Sequence, residues 1–162
     1  MDAGPDDAHL VETFIDSETR LTGGFLTVVR DRVRLPDGGT ATREYIRHPG
    51  AVAVVPILDD GRLVLVRQYR HPVGRVLLEW PAGKLDGREA VWSCARRELS
   101  EETGYEAAEW ARAGVFHNAC AYSDEGIEIW FARGLRAGPQ RLDAGEFVGV
   151  VIADVPGRNA QL

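Results

Sequence analysis

Three glutamates fall within five positions of one another, Glu98, Glu101 and Glu102, inside the stretch GKLDGREAVWSCARRELSEETGY over residues 83–105. On a helix turning about 100° per residue they share roughly 100° of arc. Like charges at that spacing repel by about 0.2–0.5 kcal/mol per pair. Hard carboxylate oxygens in such a patch suit Mg2+ or Mn2+, which bind a few carboxylates together with substrate phosphates. The chemistry then open to the chain is phosphoryl chemistry: a cation neutralises a pyrophosphate, orients it, and lowers the pKa of a bound water that attacks phosphorus. Against this stands a plainer reading, because a run of glutamates on a helix is most often a solvated face.

The elements that must position these carboxylates are legible around them. Asp86 followed by Glu89 resembles a capping box, and Gly104 suits a left-handed residue just past a helix end, so the pattern predicts a helix over 87–103. Val91, Trp92, Ala95 and Leu99 give it an apolar stripe beside the acidic one. PGAVAVVPIL and RLVLVRQYR flank Asp59-Asp60-Gly61, a hairpin signal, and their apolar runs predict central strands covered on both faces. LVETFIDSET, GGFLTVVRDRVRL and TATREYI, the last two separated by the turn PDGG, predict a β-rich start after a loose tail over 1–9. GVFHNACAYSDEGIEIWFARGL supplies strand, loop and strand, and GEFVGVVIADV a last strand. Many strands around one clear helix make an α+β domain.

Bulk properties exclude several function classes. At 162 residues with a formal charge of −6, the chain is of ordinary single-domain size and has no general attraction to nucleic acid or to an anionic membrane. Two cysteines, Cys94 and Cys120, make neither a disulfide framework nor a zinc spacing. The N-terminus lacks a signal pattern and no window approaches the roughly 18 apolar residues of a membrane span, so a cytoplasmic location is expected.

The stretch as a whole resembles the Nudix box, Gly-x5-Glu-x7-Arg-Glu-U-x-Glu-Glu-x-Gly-U with U apolar. It is matched here by Gly83, Glu89, Arg97, Glu98, Leu99, Glu101, Glu102, Gly104 and Tyr105, the tyrosine being a mild departure. The resemblance implies a Nudix-type mixed β-sheet sandwiched by helices, with extra antiparallel strands over 1–48 and the hydrolase domain over 49–162. It also implies that Glu98 and Glu102 are the principal ligands of Mg2+, or of Mn2+, with the Ala82 carbonyl a further ligand. Glu101 would ligate or help activate water, and Arg97 would pair with Glu89 to hold loop and helix in register. Local helix electrostatics explain that last pair equally well.

Outside the box, ATREYIRHPGAVAVVPIL, LVRQYRHPVG, LLEWPAGKLD and YSDE resemble the ADP-ribose pyrophosphatase branch. The implied reaction is hydrolysis of ADP-ribose to AMP and ribose 5-phosphate. Arg67 and Arg70 would clamp phosphate oxygens, with Arg70 the one the branch pattern favours, unless they simply face solvent. Glu79 would reach a ribose hydroxyl or a metal-bound water, and Trp80 would stack on adenine. A salt bridge for Glu79 and packing for Trp80 are the plain alternatives. The base would be a loop carboxylate after the helix, Asp143 or Glu146, while His117 suits a structural role.

Cys120 stands where the branch usually carries proline, which keeps another nucleoside diphosphate sugar or a dinucleotide open as substrate. The branch also implies a homodimer formed through the N-terminal strands, with Arg43 and Glu44 either in a shared pocket or in ordinary cross-strand pairs. A nucleoside triphosphatase, a Nudix-fold binding module without turnover, and a merely structural acidic helix are the alternatives.

Overall fold

The structure, a computed structural model, describes residues 7–154. Residues 1–6 of the expected tail, and the C-terminal stretch from 155 on, lie outside those described. Asp7 to Leu10 form a turn closed by the Leu10 N–H on the Asp7 carbonyl at 2.8 Å. The chain divides into two compact units, one of residues up to His48 with His117–Glu125, the other of Pro49–Phe116 with the chain from Gly126 onward.

The first unit is an antiparallel sheet of β1 (Thr13–Thr22), β2 (Thr27–Arg34) and β3 (Thr40–Arg47), in the order β1-β2-β3. Period-two alternation sorts β2: Val29, Asp31 and Val33 are buried, while Arg32 and Arg34 point out. Cross-strand charge pairs hold the open face, Arg30 to Glu44 and Arg32 to Asp16. The 117–125 segment joins this sheet through Ile46, whose N–H donates to the Tyr122 carbonyl at 2.9 Å.

The second unit holds two sheets and one α-helix. β4 (Ala51–Pro56), β7 (Ala82–Lys84), β8 (Tyr105–Phe116) and β9 (Ile127–Ala137) make a mixed sheet in the order β7-β4-β9-β8, with β4 parallel to β9. β5 (Leu63–Arg70), β6 (Arg75–Glu79) and β10 (Val148–Ala153) make the second, in the order β10-β5-β6. Helix α1 (Val91–Thr103) packs on β4, β7 and β8 of one sheet and on β5 and β10 of the other. It is the one α-helix among the described residues, where several helices flanking the sheet were expected. Its core contacts join Cys94, Ala95 and Leu99 to Val52, Val54 and Ala132, all fully buried. Burying Leu99 is worth about 1.5–3 kcal/mol.

Four expectations are revised. The Asp59-Asp60-Gly61 turn forms, with Gly61 at φ 80° and the Leu58 N–H on the Arg62 carbonyl at 2.9 Å. Yet β4 and β5 part into different sheets after one bridge, Ile57 with Leu63, because both edges of β4 are taken by β7 and β9. Of the two strands, β4 is buried on both faces; β5 alternates, burying Val64 and Val66. The helix starts at Val91 with Ala90 as an N-cap that makes no side-chain bond, while the Glu89 carboxylate is shared between the Arg97 guanidinium and the Asp86 N–H ahead of the helix. Trp92 lies on the open side of α1, with the Arg96 guanidinium 4.8 Å from its ring centroid. Gly104 ends the helix at φ 74°, as expected, and a Cβ there would strike the backbone of Gly138 and Gln140.

Candidate active site

The inward face of α1 carries charge into the core. Glu98 and Glu102, one turn apart, are buried alongside Cys94, Ala95 and Leu99, at 9% and 2% exposure. Strand β7 lies against this face, held edge-on to β4 through the pairs Ala51–Lys84, Val52–Gly83 and Ala53–Ala82. The Ala82 N–H donates to Glu102 Oε2 at 2.9 Å. A Cβ on Gly83 would occupy the place of the Glu98 carboxylate, so glycine is required there by close approach, not by its backbone angle.

Arg97 is the hub of the outer layer. Its Nε and Nη2 donate to Glu89 at 3.1 and 3.0 Å, and its Nη1 donates to Glu98 at 2.8 Å and Glu101 at 3.0 Å. Nη2 also reaches the Lys84 carbonyl at 3.4 Å, which ties helix to loop. The hydrogen bond from Arg97 holds Glu89 below the usual carboxylate range. The three box glutamates therefore do different things: Glu98 and Glu102 sit in the core, while half-buried Glu101 flanks them on Arg97.

Burial dominates the electrostatics. It pushes Glu102 up to about 8, with the Ala82 N–H opposing and the charges of Glu98 and Glu146 adding to the rise. Burial also raises Glu98, against the opposing charge of Arg97. The charge of Glu146, in the loop between β9 and β10, adds to the rise of both carboxylates. Arg70 donates to Glu79 at 2.7–3.1 Å, a pairing that raises the arginine, and it also feels Glu102 and Glu146.

Other expected site residues stand elsewhere. Arg67 is exposed, three positions from Arg70 and hence on the opposite face of β5. Trp80 is half-buried in the link from β6 to β7. Asp143 is exposed and forms a turn with Glu146, whose N–H donates to the Asp143 carbonyl at 3.0 Å. In the N-terminal unit Arg43 pairs with Glu12, Glu44 with Arg30, and His117 Nδ1 meets the Glu125 carbonyl at 2.9 Å.

The donor set is one of hard oxygens: two buried carboxylates, a flanking third and the backbone of Ala82 and Gly83. Mutually repelling buried carboxylates, raised by desolvation, are what a divalent cation would neutralise, so the residues fit such an ion. Among the described residues no three His, Cys, Asp or Glu side chains already surround a common point, since Arg97 holds Glu98 and Glu101. A cavity of about 310 Å3 lies along another face of α1, lined by Ser93, Arg96, Ser100 and Trp110; it shares only Arg97 with the cluster.

A NUDIX domain pattern matches residues 47–155, and a nucleoside diphosphate sugar hydrolase N-terminal domain pattern matches residues 12–46. The chain belongs to the Nudix family. This Nudix protein is 46% identical over 129 residues to an ADP-ribose pyrophosphatase of Mycobacterium tuberculosis, covering 79% of the chain and 62% of that protein. It is 37% identical over 144 residues to an ADP-ribose pyrophosphatase of Bacillus subtilis, covering 88% of the chain and 78% of that protein. A crystal structure of an ADP compounds hydrolase superposes with a TM-score of 0.77 at 28% identity, over 88% of the chain and 77% of the neighbour. That likeness bears out the α+β Nudix fold with antiparallel N-terminal strands. No helix among the described residues is long and apolar enough to cross a membrane.

Proposed function

We propose that this Nudix hydrolase cleaves ADP-ribose, or a closely related nucleoside diphosphate sugar, to AMP and ribose 5-phosphate in the cytoplasm. One water is consumed and one bond between phosphorus and the bridging oxygen is broken. The observation that carries the reading is the pair of buried carboxylates, Glu98 and Glu102, under the Ala82–Gly83 backbone, in a chain similar to two proteins named ADP-ribose pyrophosphatase.

Nudix hydrolases generally use divalent metal ions, and Mg2+, with Mn2+ as substitute, is the proposed cofactor. Glu98, Glu102 and the Ala82 carbonyl would hold it, with Glu101 the further ligand. When bound, the cation supplies charge neutralisation for the diphosphate and a more acidic water. Arg97 keeps Glu98 and Glu101 oriented through its fork, which a lysine would not reproduce. Arg70 presents a guanidinium for a phosphate oxygen beside the carboxylates, held in place by Glu79. Glu146 would take the proton of the attacking water; of the two loop acids it is the half-buried one and the one whose charge is felt at Glu98 and Glu102.

Residues 1–48 are proposed as a dimerisation arm and 49–162 as the hydrolase domain. Strand β1 is exposed along all ten of its residues, with Phe14, Ile15 and Leu21 uncovered, a surface suited to a second copy. Arg67 and Trp80 are proposed as contacts to phosphate and adenine, and Arg43 as a contact made only in such an assembly. The test is a panel of ADP-ribose, NADH, diadenosine polyphosphates, nucleotide sugars and dNTPs with Mg2+, products resolved by chromatography. AMP and ribose 5-phosphate from ADP-ribose as the fastest reaction is the expected result; a dNTP turned over faster would overturn it.

A further inference from the structure

Three hydrogen bonds join the end of α1 to the segment that follows β9, and a fourth joins that segment to β10. The Gly138 N–H donates to the Gly104 carbonyl at 2.6 Å, and the Arg141 N–H donates to the Glu101 carbonyl at 2.9 Å. Between them the Gln140 side-chain amide donates twice, to the Glu102 carbonyl at 2.5 Å and to the Val148 carbonyl at 3.1 Å. Carbonyls in the last turn of a helix have no partner within it and must find donors outside. Here the donors come from the chain that leads into the Glu146 loop.

Gln140 stands at the start of that loop, and of its two acceptors Glu102 lies in the last turn of α1 and Val148 at the far end of the loop. Residues 141–147 leave from the helix end and return at Val148, the first residue of β10, so one amide ties both ends of the loop to the turn that bears Glu101 and Glu102. Inside the loop the Glu146 carboxylate accepts from the Asp143 N–H at 3.3 Å, which makes a closed turn with its base on Gln140. We propose that Gln140 is a positioning residue for hydrolysis, clamping the Glu146 loop to the carboxylate-bearing end of α1. The proposal rests on Glu146 acting as base. A carboxylate must stand within hydrogen-bond reach of the water it deprotonates, and a displacement of about 1 Å can cost on the order of 100-fold in rate. Water can satisfy the freed carbonyls of Glu102 and Val148, so losing the amide removes placement more than it removes solvation.

The experiment uses the full-length chain with Gln140→Ala, Gln140→Glu, Gln140→Lys, Glu146→Gln and the double variant Gln140→Ala/Glu146→Gln. Glutamate keeps the shape of Gln140 but has no hydrogen to donate, whereas lysine restores donors. Expected are a fall in kcat of roughly 10- to 100-fold for Ala and Glu with KM within about twofold, substantial rescue by Lys, and unchanged Mg2+ affinity. The double variant should be no slower than Glu146→Gln alone, because both changes disable one device. Hydrogen exchange should quicken over 141–147 in Gln140→Ala. If Glu146→Gln is slow and the double variant multiplies the two losses, the clamp is refuted while the base survives. If Glu146→Gln turns over like wild type, the base reading fails and takes the clamp with it. Ala and Glu variants with kcat within twofold of wild type also refute the clamp.

Discussion

Replacing Glu102 with glutamine should stabilise the metal-free protein at neutral and alkaline pH. The Glu102 carboxyl, with an ordinary value of 4.5, is pushed up to about 8 by burial. Between those pH values the folded state keeps a proton that the unfolded chain releases, so stability is highest below pH 4.5 and falls as pH climbs to about 8. At about 1.36 kcal/mol per pH unit the interval amounts to roughly 5 kcal/mol, and Glu98, raised in the same direction, adds to it. The substituted amide would keep an oxygen for the Ala82 N–H and lose the titration. For a protein of this size 1 kcal/mol moves Tm by about 2–4 °C, so the variant's advantage over wild type should grow from a few degrees or less near pH 5 to on the order of 10 °C at pH 8–9. Calorimetry in the presence of a chelator, taken as the difference between the two proteins at each pH, isolates the effect. Added Mg2+ should restore wild type at pH 8 and leave the variant nearly unmoved. Superposable Tm profiles across that range would refute the burial argument.

Gly83→Ala should abolish most turnover and lose about 1–3 kcal/mol, because its Cβ takes the place of the buried Glu98 carboxylate and drives it off Arg97; activity assays beside urea unfolding check this. Arg97→Lys should lose about 1–3 kcal/mol and at least about tenfold in kcat, because one ammonium cannot serve Glu89, Glu98 and Glu101 together; chemical denaturation and kinetics read both. Gly104→Ala should cost about 1–3 kcal/mol or more from its φ of 74° and the crowding at Gly138, and Gly87→Ala, with φ 55° and open space, about 1 kcal/mol; urea midpoints order the two.

Much of this was legible from residue order, for physical reasons that differ by element. Strand β4 and the helix end at Gly104 announce themselves because an unbroken apolar run and a lone glycine after a helical period have few other uses. The box around Glu98 and Glu102 is equally plain, since its spacing follows the helix turn. Helix periodicity alone, however, assigns the three glutamates to one acidic side, whereas the fold buries two and leaves Glu101 on Arg97; that sorting depends on β7 packing against the helix, a tertiary contact that helix periodicity does not encode. The helix start is displaced for a different reason: Glu89 bonds both Arg97 and the Asp86 N–H from the loop ahead of the helix, and regular helix begins only at Val91. The odd spacing of Arg67 and Arg70 on one strand already separates their faces. Gln140 carries no periodicity and no motif, so nothing in the residue order marks its bonds to Glu102 and Val148.

The most direct test of the central claim, that buried Glu98 and Glu102 seat a divalent cation, is an electron paramagnetic resonance titration of Mn2+ into wild type, Glu98→Gln and Glu102→Gln at pH 8. Wild type should remove the free-ion signal with a saturable stoichiometry, and each variant should bind at least tenfold more weakly while staying folded. Equal binding in all three proteins would contradict the account.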